Sequence, residues 1–392
     1  MFSIGRVIAG IALALLVSLS GGHAATYKIL HAFGAAGDGA HPMGRPTVDS
    51  AGNIYGTTQE GGTSGFGAVF KLGPDGVETA LHNFAGGDDG MYPNNELILD
   101  KSGNLYGVTD SGGGTGCQNS EGCGTVFKIA PDGAETVLYS FEGGGDGWFP
   151  NSGLLLDAAG NLLGTTLVGG GTACSGEGCG TVFKLTPEGV ETVLYSFEGG
   201  DDGSRPWSTL IVDSDGNLYG TTEEGGKRGG GTVFKISTDG TETLIHQFGR
   251  RRDGEAPQSG LLMDGMGSLY GVTSEGSTYG CGSLYEVAPD MTESVLLAFG
   301  GPKGQKNTGG CSSRSVPLLD AKGNLYISTM SEKGSPGSAL EVTPEGSETV
   351  LHSLKKNGFP AAGLVADGIF NLYGMTYYGG KFDAGVLYRV TP

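Results

Sequence analysis

Apolar residues along this chain come in short runs, each cut by glycine, aspartate, asparagine or proline. Residues 153–197 show the pattern: GLLLD (153–157), NLLGTT (161–166), GTVFKL (180–185) and ETVLYSF (191–197). Runs this short, rich in Val, Leu, Thr, Phe and Tyr and bounded by turn formers, predict four consecutive β-strands. Asp157 to Asn161 separates the first two, and Pro187, Glu188 and Gly189 separate the last two. Both are tight-turn chemistry, because Asp caps the amides of its own turn and glycine supplies a positive φ. Turns so short force antiparallel pairing.

The pattern repeats along the chain. AGNIYGTT (51–58) returns as SGNLYGVT (102–109), AGNLLGTT (159–166), DGNLYGTT (215–222), MGSLYGVT (266–273), KGNLYIST (322–329) and IFNLYGMT (369–376). The seven copies stand 47 to 57 residues apart, and an Asp precedes each: Asp49, Asp100, Asp157, Asp213, Asp264, Asp320 and Asp367. A period near fifty residues carrying four strands predicts an all-β, seven-bladed β-propeller of four-stranded antiparallel blades. A parallel β-helix also favours glycine, but its coils are shorter and need no pair of hairpins per repeat. The seventh copy stops at LYRVTP (387–392) without a fourth strand, while TYKILHAF (26–33) aligns with ETVLYSF (191–197). The N-terminal strand is therefore expected to complete the last blade, which removes exposed sheet edges and closes the ring.

The motif string GNLYGTT, GGGTVFKL and ETVLYSF resembles the GloVer tandem-repeat family of exported bacterial proteins, over essentially the whole chain after its first residues. The resemblance implies a propeller-like fold and a cell-surface or periplasmic location, with no activity assigned to individual residues.

Composition changes the picture at three points. Residues 1–24 combine Arg6, an apolar stretch from Val7 to Leu19 and small residues at Gly22 and Ala24. That is a secretory signal, cut after Ala24, leaving residues 25–392 as one domain. The apolar stretch is short for a span of ~20 residues, so export without membrane insertion is expected, to the periplasm or the medium. The formal net charge is −19, and losing Arg6 with the signal makes it −20. A surface this acidic argues against nucleic acid and anionic membrane as partners. Six cysteines in an exported chain predict disulfides. Position in the repeat pairs Cys117 with Cys123, Cys174 with Cys179, and Cys281 with Cys311. A four-thiolate zinc site from the first four is disfavoured, since their spacing is loose for zinc and export disfavours free thiolates.

In such a blade the two tight turns share one face, and the long loops share the other, where function is expected. The blade-to-blade connection carries Asp-Gly-x-x-Pro five times: Asp38–Pro42, Asp89–Pro93, Asp146–Pro150, Asp202–Pro206 and Asp253–Pro257, with Asn357–Pro360 as a shorter form. Asp-Gly and Pro make a turn without any ligand. The intervening and neighbouring positions hold His41, Tyr92, Trp148, Phe149, Arg205, Trp207 and Phe359, including both tryptophans of the protein. They are the candidate binding residues, presented for stacking on a sugar or peptide, or else packed as a plug at the channel mouth. His31, His82, His246 and His352 share a fourth-strand slot with Tyr139 and Tyr195, a packing position rather than a ligand set. No nucleophile elbow, phosphate loop or zinc-protease motif occurs. No cofactor or metal site is expected. Calcium stays open as an alternative because Asp-Gly loops bind it elsewhere, although these lack alternating carboxylates.

Two functions fit. One is an exported, monomeric, non-enzymatic protein whose long-loop face binds a glycan or a surface protein. The other is a polysaccharide lyase or hydrolase at the same face, with His41 or Tyr92 as base near Arg205, or with two carboxylates at a set separation. The repeats contain no distinct insertion that would mark an active site, which favours binding.

Overall fold

The computed structural model describes residues 25–114, 117, 121–249, 253–301, 309–331, 336–354, 359–360 and 362–392. The expected signal segment and the Asn357-Gly358 part of the last connection lie outside them. Seven antiparallel sheets follow one another around a ring. In the third blade, Leu155–Leu156 pairs with Leu162–Thr166, that strand with Thr181–Leu185, and that one with Glu191–Ser196. The seventh blade takes its outer strand from the other end of the chain. Thr26–Ala32 lies antiparallel to Val386–Thr391, with Thr26 opposite Thr391 and Ala32 opposite Val386. Tyr27 seals the junction by stacking on His352 of the sixth blade, ring centroids 3.7 Å apart. The expected closure is present, and so are all three disulfides.

The repeat glycine and the repeat aromatic explain each other. Gly164 faces Phe183 across the second and third strands, and a Cβ on Gly164 would sit 2.8 Å from the Phe183 ring. Gly56, Gly107 and Gly220 face Phe70, Phe127 and Phe234 in the same way. In the sixth blade the glycine becomes Ile327 and the aromatic becomes Leu340, still paired. The third-strand aromatic then meets the phenylalanine that ends the previous blade's outer strand. Phe33–Phe70, Phe84–Phe127, Phe141–Phe183, Phe197–Phe234 and Phe248–Tyr285 lie with centroids 4.9 to 5.2 Å apart. The core is thus a series of layers between blades; one layer joins Val108 and Val126 of the second blade to Leu162, Phe183 and Leu185 of the third. A bulge in each outer strand helps fill these layers. Register slips between Val137 and Tyr139, so Leu138 and Tyr139 both pack on the same layer.

Each repeat Asp builds its hairpin as expected. Asp49 accepts from the N–H groups of Ala51 and Asn53, from the Asn53 amide and from the Tyr55 hydroxyl. Burial works against the charge, but the bonds from Asn53, Tyr55 and Ala51 outweigh it and hold this carboxyl below its ordinary range.

The opposite situation holds at the outer rim. His31, His82, Tyr139, Tyr195 and His246 bond the Asp of the following connection: Asp38, Asp89, Asp146, Asp202 and Asp253. This refines the fourth-strand slot, which tethers the loop as well as packing. A glutamate from the next blade's outer strand abuts several of these pairs. Glu135, Glu191 and Glu242 each bury an Oε1 with no hydrogen-bond partner among the described residues. Burial first, and then the Asp89, Asp146 or Asp202 charge, pushes each of them up to about 7.

These raised values set the sign of a pH effect. A folded-state pKa raised from 4.5 to about 7 means that the fold favours the protonated acid. The stabilisation is complete below the unfolded value and is lost as pH rises through the folded one. Thermal melts should therefore show the melting temperature falling between about pH 5 and about pH 8. A triple Glu135→Gln, Glu191→Gln, Glu242→Gln variant should flatten that slope, and an unchanged slope would refute the assignment.

Candidate functional site

The blade-to-blade stretch is built as a clamp. Its Asp folds the loop back: Asp146 Oδ2 accepts from the Glu142 N–H and the Tyr139 hydroxyl. The residue before proline is left-handed at His41, Tyr92, Phe149, Arg205 and Ala256, and so is Ser312, which holds the same place before Ser313; their φ values lie between 55° and 68°. That conformation aims its N–H at the preceding blade. His41, Tyr92, Phe149, Arg205, Ala256 and Ser312 donate to the carbonyls of Ala384, Phe66, Cys123, Cys179, Gly230 and Cys281, at 2.8 to 3.1 Å. Its carbonyl turns to its own blade, so that Leu167 N–H donates to Phe149 O and Tyr377 N–H to Phe359 O. The proline then lies on a glycine of the preceding blade. A Cβ on Gly180 would fall 2.4 Å from Pro206 Cδ, and one on Gly124 would fall 2.5 Å from Pro150 Cδ.

The clamp positions the residues that come after the proline. The next side chain projects into the channel mouth, and the one two residues further on forms a floor. Asn94, Asn151, Trp207, Gln258 and Arg314 wall a small cup of about 70 Å³ that opens on the long-loop face. Arg45 and Glu96 form an ion pair, Nε to Oε2 2.7 Å, and with Thr209 they border both this cup and a wider apolar funnel on the tight-turn face. The floor is tight, since a Cβ on Gly153 would lie 2.6 Å from both Glu96 Cγ and Thr209 Oγ1.

Two polar networks hold the wall. Arg205 Nε donates to Glu223 Oε2 (2.9 Å), and Gln258 Nε2 donates to Glu223 Oε1 (2.5 Å). Arg314 Nε donates to Gln258 Oε1 (2.7 Å), and its guanidinium lies 5.6 Å from the centroid of the Trp207 ring. On the other side the Asn151 amide donates to Asp110 Oδ1, and Asn94 bonds the same carboxyl. Burial dominates at Asp110 and, against those two hydrogen bonds, pushes it up to about 6.

The seven candidate residues lie in the connections of one face, but the structure divides their roles. Trp207 lines the cup, and Arg205 reaches it through Glu223. His41 stacks on Tyr377 at 4.5 Å and bonds its carbonyl through Nδ1. Tyr92 meets Phe66 edge-on. Phe149 stacks on Trp148 at 4.7 Å, and Trp148 is only 7% exposed within the layer between the second and third blades. Phe359 is half-buried before Pro360. The sequence reading missed Arg45, Asn94, Glu96, Asp110, Asn151, Glu223, Gln258, Arg314 and Tyr377. A signal existed: the position after the proline is polar or aromatic in most blades, just where the apolar inner strand begins.

Two clusters bring metal-ligand atoms within 4.8 Å of one another: His31, Asp38 and Glu78, and His82, Asp89 and Glu135. At equivalent interfaces Tyr139 and Tyr195 replace the histidine and donate to the same Asp. The property common to all is a hydrogen bond that caps the loop.

The Gloeobacter/Verrucomicrobia repeat matches residues 16–178 and 117–315. No curated protein matches the chain. Two solved structures of an extracellular domain from B. thetaiotaomicron, described as part of a one-component and of a hybrid two-component system, share its fold. They are 14% and 15% identical with TM-scores of 0.54 and 0.55, and the match covers 92% of this chain but 39% of theirs. Identity this low is a likeness of fold alone. The three disulfides point to an oxidising, extracytoplasmic environment.

The split between packed and cup-lining tryptophan is measurable. Trp148→Ala should lower unfolding free energy by about 3–5 kcal/mol, the cost of emptying a buried indole site. Trp207→Ala, at the open wall, should cost about 1 kcal/mol or less. Chemical denaturation of the two variants checks this, and equal losses would contradict the division.

Proposed function

The chain belongs to the Gloeobacter/Verrucomicrobia repeat family, and from its cup we propose an exported, non-enzymatic binding protein that takes a neutral glycan at the channel mouth. One observation carries this reading: a half-buried indole, Trp207, beside the Arg314–Gln258–Glu223–Arg205 relay and facing the Asn94 and Asn151 amides. A sugar ring needs such a combination, an aromatic face for its C–H surface and oriented donors and acceptors for its hydroxyls. The relay fixes those groups before the ligand arrives, which lowers the ordering cost of binding. The net charge of −19 disfavours polyanionic glycans.

Binding is preferred to catalysis because the carboxylates of the cup and of the networks behind its wall are committed. Glu96 is held by Arg45, Glu223 by Arg205 and Gln258, and Asp110 by Asn151 and Asn94. Glycoside hydrolysis needs one carboxyl free to give a proton and a second free to attack or to activate water. A secreted or periplasmic monomer displaying one such cup fits this role.

A glycan array probed with the mature protein tests the reading, with titration calorimetry on each hit. Trp207→Ala should weaken binding at least ~10-fold, as loss of an aromatic anchor does. Undiminished affinity would overturn the assignment, and release of reducing ends or unsaturated sugars would replace it with the enzymatic one.

A further inference from the structure

We infer that the cup takes the end of an oligosaccharide and that the chain continues outward over an aromatic rim made by His41, Tyr377, Tyr378 and Phe382; this rests on the glycan reading of the cup. The first observation is that the cup is blind. At its floor a Cβ on Gly153 would collide with Glu96 and Thr209, one on Gly260 would come within 3.1 Å of Val316 Cγ2, and one on Gly363 within 3.0 Å of Val316 N. These contacts pack the floor from blade to blade, and the paired Arg45 and Glu96 side chains, with Thr209, border both the cup and the funnel on the tight-turn face. A glycan therefore enters with one terminus, and the remainder must leave across the rim.

The second observation gives the direction. The wall between the seventh and first blades is built of Ala362, Gly363, Met43 and Gly44, without the long polar side chains that stand at Gln258 and Arg314. Outside this stretch three aromatic rings lie in mutual contact, His41 and Tyr377 half-buried and Tyr378 exposed, and Phe382 stands exposed four residues further along the same loop. His41, which precedes Pro42 and Met43, stacks on Tyr377; Tyr377 meets Tyr378 edge-on at 4.7 Å, and Tyr378 also packs against His41. Tyr378 and Phe382 are each 46% exposed. The platform is held rigidly. The Thr376 hydroxyl donates to the Tyr378 carbonyl, the Gly379 N–H donates to the Asp383 carboxylate, and the Tyr377 hydroxyl donates to Gln59. Tyr377 also occupies the second-strand end position that Glu223 fills in the fourth blade, where that carboxylate touches the cup wall. Wall and platform are joined through His41, which only Pro42 separates from the cup-lining Met43, and such rings suit the stacking of successive neutral sugars at little cost in side-chain freedom.

The test uses the mature chain and length series of cello-, xylo- and chito-oligosaccharides, from mono- to hexasaccharide. Affinity should rise ~10-fold or more from the monosaccharide to the trisaccharide of the series that binds. A Tyr378→Ser, Phe382→Ser variant, altered only at exposed rings, should abolish that rise and leave monosaccharide affinity unchanged. Trp207→Ala should reduce affinity at every length. If affinity is flat with length, or the double variant keeps the rise while Trp207→Ala still abolishes binding, the rim extension is wrong and the cup reading survives. If no member of any series binds, the glycan reading falls and the extension falls with it.

Discussion

The contact on which this molecule depends is the one between blades, where the phenylalanine ending one outer strand meets the aromatic of the next blade's third strand. Phe141 against Phe183 is typical, edge to face with centroids 5.2 Å apart. No blade buries its own faces, because a four-stranded sheet has two and only a neighbour covers each. The repeat glycine opposite Phe183 exists so that this ring can lie flat on the second strand. The outer-strand bulge exists so that two successive residues both reach the layer. Closure by Thr26–Ala32 arises from the same need: without it, the first and seventh blades would each expose an uncovered layer holding Phe33, Phe70 and Tyr373.

Because neighbouring blades must touch this closely, the connection between them has little freedom. It turns on an Asp, crosses the gap with a left-handed residue, and lands proline on glycine. Left-handed conformations cost about 1–3 kcal/mol at residues other than glycine, and a chain with 78 glycines had the unstrained residue at hand. It nonetheless carries His41, Tyr92, Phe149, Arg205, Ala256 and Ser312 there. The side chains offset part of that strain by covering the gap, as when His41 lies on Tyr377 or Phe149 on Trp148. The clamp also delivers the following side chain to the channel at a constant height, which is how a repetitive scaffold acquires a ring of variable groups around one axis.

The fold was legible because its determinants are local and repeated. Asp, Gly and Asn at fixed offsets specify hairpins, and the missing fourth strand of the last copy could be matched to residues 26–33 by motif alone. The disulfides were legible from position in the repeat. The cup was less so, because its members are related through the axis. Arg45 meets Glu96 from the adjacent blade, and Gln258 reaches both Glu223 and Arg314. Only Trp207, for its size, and Arg205 of the supporting relay drew notice. Trp148 falls to the other of the two readings open for these rings, since it packs into the layer between two blades instead of facing a ligand.

Departures from the repeat carry information once the contacts are known. Ile327 and Leu340 have changed together from glycine and aromatic, which maintains the volume between the strands they join. The fifth-to-sixth connection shows a second paired change, with Leu297 in the His/Tyr slot and Gly309 in place of the loop aspartate. Neither half of that tether is of use alone, since an unpartnered carboxylate at the rim costs desolvation and an unpartnered phenol or imidazole wastes a donor. There the seam is joined covalently by Cys281–Cys311, which spans 30 residues from the fifth blade's loop to the connection itself. A disulfide thus stands where the hydrogen-bonded tether is absent, whereas the other two each close a short local loop. Cys311 stands three residues before Arg314, so the covalent seam and the cup wall held by Gln258 and Trp207 belong to one short stretch of chain.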